Sequence, residues 1–198
     1  MNKNINISGK DNTINKEEYF TNDNFINISG NENDVFIGEN CKLNKIRVTI
    51  IGNGCKLVIG NQCRINAGFQ LKGEKSSVTI GDKTTIEGAN IVALEGRSIA
   101  MGVDCMLSFN IEMRTSDAHS IIDLATNERI NSAGDISIGN HVWVGARTIL
   151  MKGSSVADNV IIGQGSLVNK RHTKSNCIIA GTPAIVRRSN INWDRKLI

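Results

Sequence analysis

The chain has 198 residues, enough to bury one sizeable core. Its 23 Lys and Arg against 19 Asp and Glu give a net charge of +4, with no long basic run and no interleaved aromatics; this argues against nucleic acid as a partner and leaves an anionic small molecule or an acidic polymer open. Aromatic residues make up 4%, proline occurs once and glycine 19 times, which disfavours a sandwich or barrel and fits small and β-branched side chains repeated along an axis.

The amino terminus, MNKNINISGKDNTIN, lacks the apolar run of a secretory signal, and no stretch approaches the ~18 apolar residues of a membrane span. A cytoplasmic protein without a transmembrane segment is expected. INISGKDN at 5–12 is answered by INISGNEN at 26–33, and residues 1–35 are expected to form an irregular cap or frayed coils. Next come IGENCK (37–42), IGNGCK (51–56), IGNQCR (59–64), IGDKTT (80–85) and MGVDCM (101–106), each followed by an aliphatic residue. Ile59, Ile80 and Met101 are spaced 21 residues apart, which predicts coils of 18 residues with extra ones at the corners. The polar segment RTSDAHSIIDLATNERINSAGD (114–135) then interrupts the pattern, as a loop on a binding face would.

From Ile138 the pattern turns strict: Ile138, Val144, Leu150, Val156, Ile162 and Val168 recur every six residues. A helix repeats every 3.6 residues and a strand every two, so a period of six calls for another geometry. Short strands separated by sharp turns form a triangular coil, in which Ile138 stacks on Val156, Val144 on Ile162 and Leu150 on Val168. The expected fold is all-β: a single-stranded parallel β-helix over 36–180 with an inserted loop at 114–135, followed by a C-terminal tail over 181–198. Cys41, Cys55, Cys63, Cys105 and Cys177 are odd in number and form no CxxC pair, and their repeat context suggests buried thiols. The three histidines are His119 in the polar loop, His141 at a corner and His172 after the last rung; their spacing supports no metal site.

The segments SDAHSIID (116–123), ISIGNHVWVGARTILMKG (136–153), IIGQGSLVNK (161–170) and NCIIAGTPAIVRR (176–188) resemble the hexapeptide-repeat acyltransferases, and among them the capsule and sugar O-acetyltransferases. The resemblance implies a left-handed coil, a homotrimer with active sites between subunits, and acetyl-CoA as cosubstrate lying along the outer face near the C-terminal end. The carbohydrate acceptor would be a capsular or surface polysaccharide such as a sialic-acid polymer. Residue by residue, it places the general base on His119, an aromatic wall on Trp143 and an amide beside the thioester on Gly145. The turn Gly181-Thr182-Pro183-Ala184 and Gln164 fall among the CoA contacts. Lys170, Arg171, Arg187 and Arg188 suit a ligand with several phosphates, although Ile185 and Val186 stand where the family carries Lys.

The chemistry agrees with this assignment. A thioester is already activated, whereas a sugar hydroxyl must lose its proton during attack, and an imidazole of ordinary pKa about 6.5 can take it. Asp117 lies close enough in sequence to orient the His119 ring; a backbone carbonyl or a carboxylate of another subunit would serve equally. Two other readings stand beside this one: an N-acetyltransferase of an amino-sugar nucleotide, and a non-catalytic β-helix with a binding or structural role.

Overall fold

The computed structural model describes residues 4–197; the ends of the expected cap and tail, residues 1–3 and 198, lie outside that range. The chain winds as a left-handed parallel coil with three faces. The first face is an eight-stranded sheet running from Thr13–Ile14 to Arg171–His172. The second and third faces join into one 14-stranded sheet, because Arg64–Lys72 and Thr85–Leu94 each pass from one to the other as a continuous strand.

Inward side chains stack in register from coil to coil. Ile138 lies beside Val156, Val144 beside Ile162 and Leu150 beside Val168, as the six-residue period requires. Ile59, Ile80 and Met101 share another column, and Ile5–Ser8 pairs with Ile26–Ser29. The column on the third face runs almost the length of the molecule through Ile26, Val48, Phe69, Ile91, Met113, Leu150 and Val168. All seven are fully or almost fully buried, and each such side chain contributes about 1.5–3 kcal/mol of transfer free energy.

The early coils are longer for a visible reason. Their third face carries two inward rungs, Ile26 with Ile28, Val48 with Ile50, Phe69 with Leu71 and Ile91 with Ala93. The later coils have a single rung there, Leu150 or Val168.

Corners between the first and second faces adopt left-handed backbone at Gln62, Lys83, Asp104, His141, Asn159 and Asn176, a conformation that short polar residues such as Asn and Asp tolerate better than most. Just before them, Gly60, Gly81, Gly102 and Gly139 have no room for a side chain: a Cβ would come within 2.2–2.5 Å of the next coil. Inside the same corners the thiols of Cys41, Cys63 and Cys105 donate to the carbonyls of Gly60, Gly81 and Gly139 at 3.1–3.3 Å. All five cysteines are free and buried.

Candidate active site

The inserted segment leaves the third face after Ile111–Arg114 and rejoins the first at Ile136–Ile138. Its base is tied firmly to the coil. Thr115 is buried; its hydroxyl accepts from the Leu94 N–H at 2.8 Å and donates to the Leu94 carbonyl at 3.1 Å. Arg129 grips Glu95 with two hydrogen bonds of 2.7 and 2.9 Å, and the Ser116 hydroxyl donates to the same carboxylate. Arg129 first and Ser116 second hold the Glu95 carboxyl down at a pKa of about 2.

Asn131 is the hub of the loop. Its side-chain amide donates to the His119 carbonyl and to the Asp117 carboxylate, both at 2.8 Å, and its side-chain oxygen accepts from the Ile121 N–H at 2.8 Å. Lys152 reaches in from the coil to donate to Asp117 and to the Asn131 carbonyl. Those bonds, Lys152 first, keep Asp117 below the usual carboxylate range. Asp117 therefore fixes the backbone that carries His119 rather than touching its ring. The imidazole itself is exposed and has no hydrogen-bond partner among the described residues. It borders a groove of about 490 Å³ with Lys72, Gly73, Leu94 and Glu95.

The other two histidines face no groove in this way: one is hydrogen-bonded and the other is buried. His141 Nδ1 lies 2.8 Å from the Asp104 carboxylate and Nε2 lies 3.1 Å from the Trp193 carbonyl. Its ring stacks on the Trp193 indole with centroids 4.1 Å apart, and the indole N–H donates to the His141 carbonyl at 2.9 Å. Arg195 extends this strap, donating to Asp104 at 3.0 Å, to the Thr85 hydroxyl at 2.9 Å and to the Cys105 carbonyl at 2.9 Å. Burial raises the Asp104 pKa, but the bonds from His141 and Arg195 outweigh it and leave the carboxyl below its ordinary value. His172, which the sequence puts after the last rung, is itself an inward rung stacked on Val156. It is buried with Nε2 unpartnered, and burial pushes its pKa down.

Trp143 opens a strand on the second face between Met106 and Ile161, with its indole 38% exposed and 6.0 Å from that of Trp193. The Gly145 N–H, expected beside the thioester, is committed to the Ile162 carbonyl at 2.8 Å as part of coil-to-coil pairing. The next amide, that of Ala146, has no partner among the described residues. Gly145 acts through its small size: a Cβ there would lie 2.7 Å from the Gln164 nitrogen. The sequence pattern does not distinguish two successive amides, and only the register does.

Beyond Gln164, Cys177–Gly181 and Ala184–Ser189 form an antiparallel hairpin through Thr182 and Pro183. Arg187 folds over Gly181 and donates to the Ala180 carbonyl at 3.1 Å, while Arg188 lies opposite Ile178 on the second face. Arg171, with Lys170 before it, belongs to the first face. The four basic residues are thus divided between two sheets. Among the described residues no group of three or more His, Cys, Asp or Glu could hold a metal ion.

Comparison with known proteins identifies the family. Residues 135–170 match the family described as bacterial transferase hexapeptide (six repeats). The chain is 37% identical over 190 residues to the polysialic acid O-acetyltransferase of Neisseria meningitidis, covering 96% of this chain and 88% of that protein. The crystal structure of the polysialic acid O-acetyltransferase OatWY superposes with a TM-score of 0.84 at 33% identity, over 98% of this chain and 88% of that one. The polySia-specific acetyltransferase NeuO superposes with a TM-score of 0.70 at 29% identity, over 97% and 88%.

Proposed function

This chain belongs to the hexapeptide-repeat acyltransferases, and from that premise we propose that it moves an acetyl group from acetyl-CoA to a hydroxyl of an acidic capsular polysaccharide, a polymer of sialic acid. The observation that carries the reading is the state of the three histidines: His119 alone presents a ring that is exposed and unpartnered beside a groove. It takes the hydroxyl proton as the oxygen attacks the thioester carbonyl. Charge that builds on the carbonyl oxygen is met by the open Ala146 N–H, in the position expected of Gly145. The tetrahedral intermediate then collapses, the C–S bond breaks, and the imidazolium returns its proton to the departing CoA thiolate.

Asp117, Asn131 and Lys152 serve as positioning residues for the His119 backbone. Trp143 walls the site, and Gln164 with the 181–184 turn lines the path of the pantetheine arm. Arg187 and Arg188 are placed to meet phosphates at the hairpin, with Lys170 and Arg171 on the neighbouring face. A hydroxyl acceptor is favoured over an amino-sugar nucleotide because the relatives that match nearly the whole chain act as O-acetyltransferases.

The site is shared between subunits of a homotrimer. His119 stands where the third face meets the first, beside Lys72 and Leu94, whereas Trp143 lies on the second face of the same chain. The arm that carries His119 also exposes Ile121, Ile122, Ile130 and a fully exposed Leu124, apolar surface suited to a neighbouring subunit. No helix among the described residues is long and apolar enough to cross a membrane. A cytoplasmic location is part of the proposal, because acetyl-CoA is supplied there.

The test is CoA release in the presence of acetyl-CoA and a panel of acceptors: a sialic-acid polymer, a neutral polysaccharide and an amino-sugar nucleotide. Release with the polymer and none with His119→Ala supports the reading; release only with the nucleotide overturns it. Mixed trimers of His119→Ala and Trp143→Ala chains should regain activity that neither variant has alone. A monomer in sedimentation would remove the shared site.

A further inference from the structure

Most corner glycines of this coil are obligatory, since a Cβ would collide with the next coil. Gly68 and Gly88 are different. Neither has left-handed backbone, and a Cβ would meet nothing closer than 3.6 Å at Gly68 and 3.5 Å at Gly88, ordinary contact distances. Gly68 lies inside a strand and Gly88 at the corner where the register shifts between Ile86 and Ala89; neither has the positive φ that would demand glycine, and glycine there costs order and packs nothing. Glycine in such a place leaves room for something outside the chain to approach the backbone closely.

What surrounds them has a consistent chemistry. Gly68 and Gly88 floor a groove of about 420 Å³ whose walls are Asn66, Asn90 and Asn110, with Lys45 at one end. Phe109, half exposed, abuts Gly88 from the following coil. Arg147 continues the same corner one coil further and is hydrogen-bonded through its N–H to the Phe109 carbonyl at 3.0 Å. Neither Lys45 nor Arg147 has an ion-pair partner among the described residues, whereas the acidic Glu112 in the groove is engaged by Asn90 and Arg114. Amides for hydroxyl and acetamido groups, an aromatic face and two unpaired cations on a bare floor suit an anionic carbohydrate.

The groove also points the right way. It runs along the corner between the second and third faces, and the next coil continues that corner at Ala146 and Arg147. From Lys45 to Arg147 is four coil-to-coil steps of ~4.8 Å, ~19 Å in all, the length of a short run of sugars. The hairpin assigned to CoA lies on the opposite side of Ala146, so donor and acceptor would meet end to end. We propose that the Lys45–Asn66–Gly68–Gly88–Asn110–Arg147 groove is an acceptor track that holds several residues of an acidic polysaccharide while one hydroxyl is acetylated. The proposal rests on the acetyl-transfer reading and adds a subsite that makes the enzyme prefer long acceptors.

The experiment compares sialic-acid oligomers of one and eight residues, by CoA release and by direct binding, on the wild-type trimer and on Gly68→Ala/Gly88→Ala and Lys45→Glu variants. The alanine pair fits the coil, so its melting temperature should equal or exceed that of wild type. The track predicts that either variant lowers the octamer-over-monomer preference in kcat/KM by about tenfold and weakens octamer binding equally. An unchanged preference in both variants overturns the track. So does a fall in oligomeric mass with equal loss on both acceptors, because the groove would then be a seam between subunits. If wild type turns over no sugar, the acetyl-transfer reading fails on its own, and the binding measurement still decides the groove: octamer bound by wild type and lost in the variants keeps it, and equal binding or none removes it.

Discussion

Two segments leave the coil and lie back over it, and they treat their histidines in opposite ways. The arm at 114–135 spends its hydrogen bonds on its own backbone and on Glu95, leaving the His119 ring bare. The C-terminal strap does the reverse, stacking Trp193 on His141 and setting its carbonyl at Nε2, while Asp104 of the coil takes Nδ1. A histidine with both nitrogens engaged cannot accept a proton from substrate without breaking the lock. One with a fixed backbone and an open ring can. The contrast teaches that polar networks mark a site by what they leave unsatisfied as much as by what they join.

The comparison can be broken most severely at the two rings. His119→Ala should lower kcat by roughly 10²- to 10⁴-fold while acetyl-CoA affinity and melting temperature barely move, since an exposed side chain is lost. A stopped-time CoA-release assay beside calorimetry checks this, and a large drop in melting temperature would mean the ring is structural. Asn131→Ala should come next, with kcat down by roughly 10- to 100-fold. It acts through the backbone it holds, so the loss should appear in kcat more than in KM, together with faster proteolysis of the arm.

Trp193→Ala should move stability more than rate. Loss of the stack and of the indole hydrogen bond should cost about 2 kcal/mol, read by denaturant unfolding, with kcat changed by well under tenfold. A collapse of turnover in a folded Trp193→Ala or His141→Ala protein would reverse the assignment of the two histidines. The smallest effect concerns pH. The Glu95 pKa is depressed from 4.5 to about 2 by Arg129 and Ser116, so the anchoring it gives the arm is complete above pH 4.5 and fades as pH falls towards 2. Protection of the 118–130 amides, taken relative to their intrinsic exchange rates at each pH, should fall in that window, and Glu95→Gln should show the lower protection already at neutral pH.

Much of the coil was legible because its signal is local and repeated. Ile138, Val144 and Leu150 announce their partners by spacing alone, and the stacked registers follow. His119 stood out by sitting in a polar interruption rather than on a rung. The strap was not legible, because Trp193 and His141 are 52 positions apart and Arg195 and Thr85 are 110 apart, with no period to connect them. The occupied Gly145 amide and the division of the basic residues between two sheets were hidden for a related reason. Both depend on which coil lies against which, and composition carries no record of that.

The buried thiols have a consequence of their own. Burial lifts Cys63 and Cys105 to about 11, so at neutral pH they are protonated as well as shielded from solvent. A thiol reagent can reach them only when the corner around them opens. Cys41, Cys55, Cys63, Cys105 and Cys177 occupy successive stations along the axis, so the order in which they become labelled would give a native chronometer of unravelling. It would show from which end this spring comes undone without a single residue being changed.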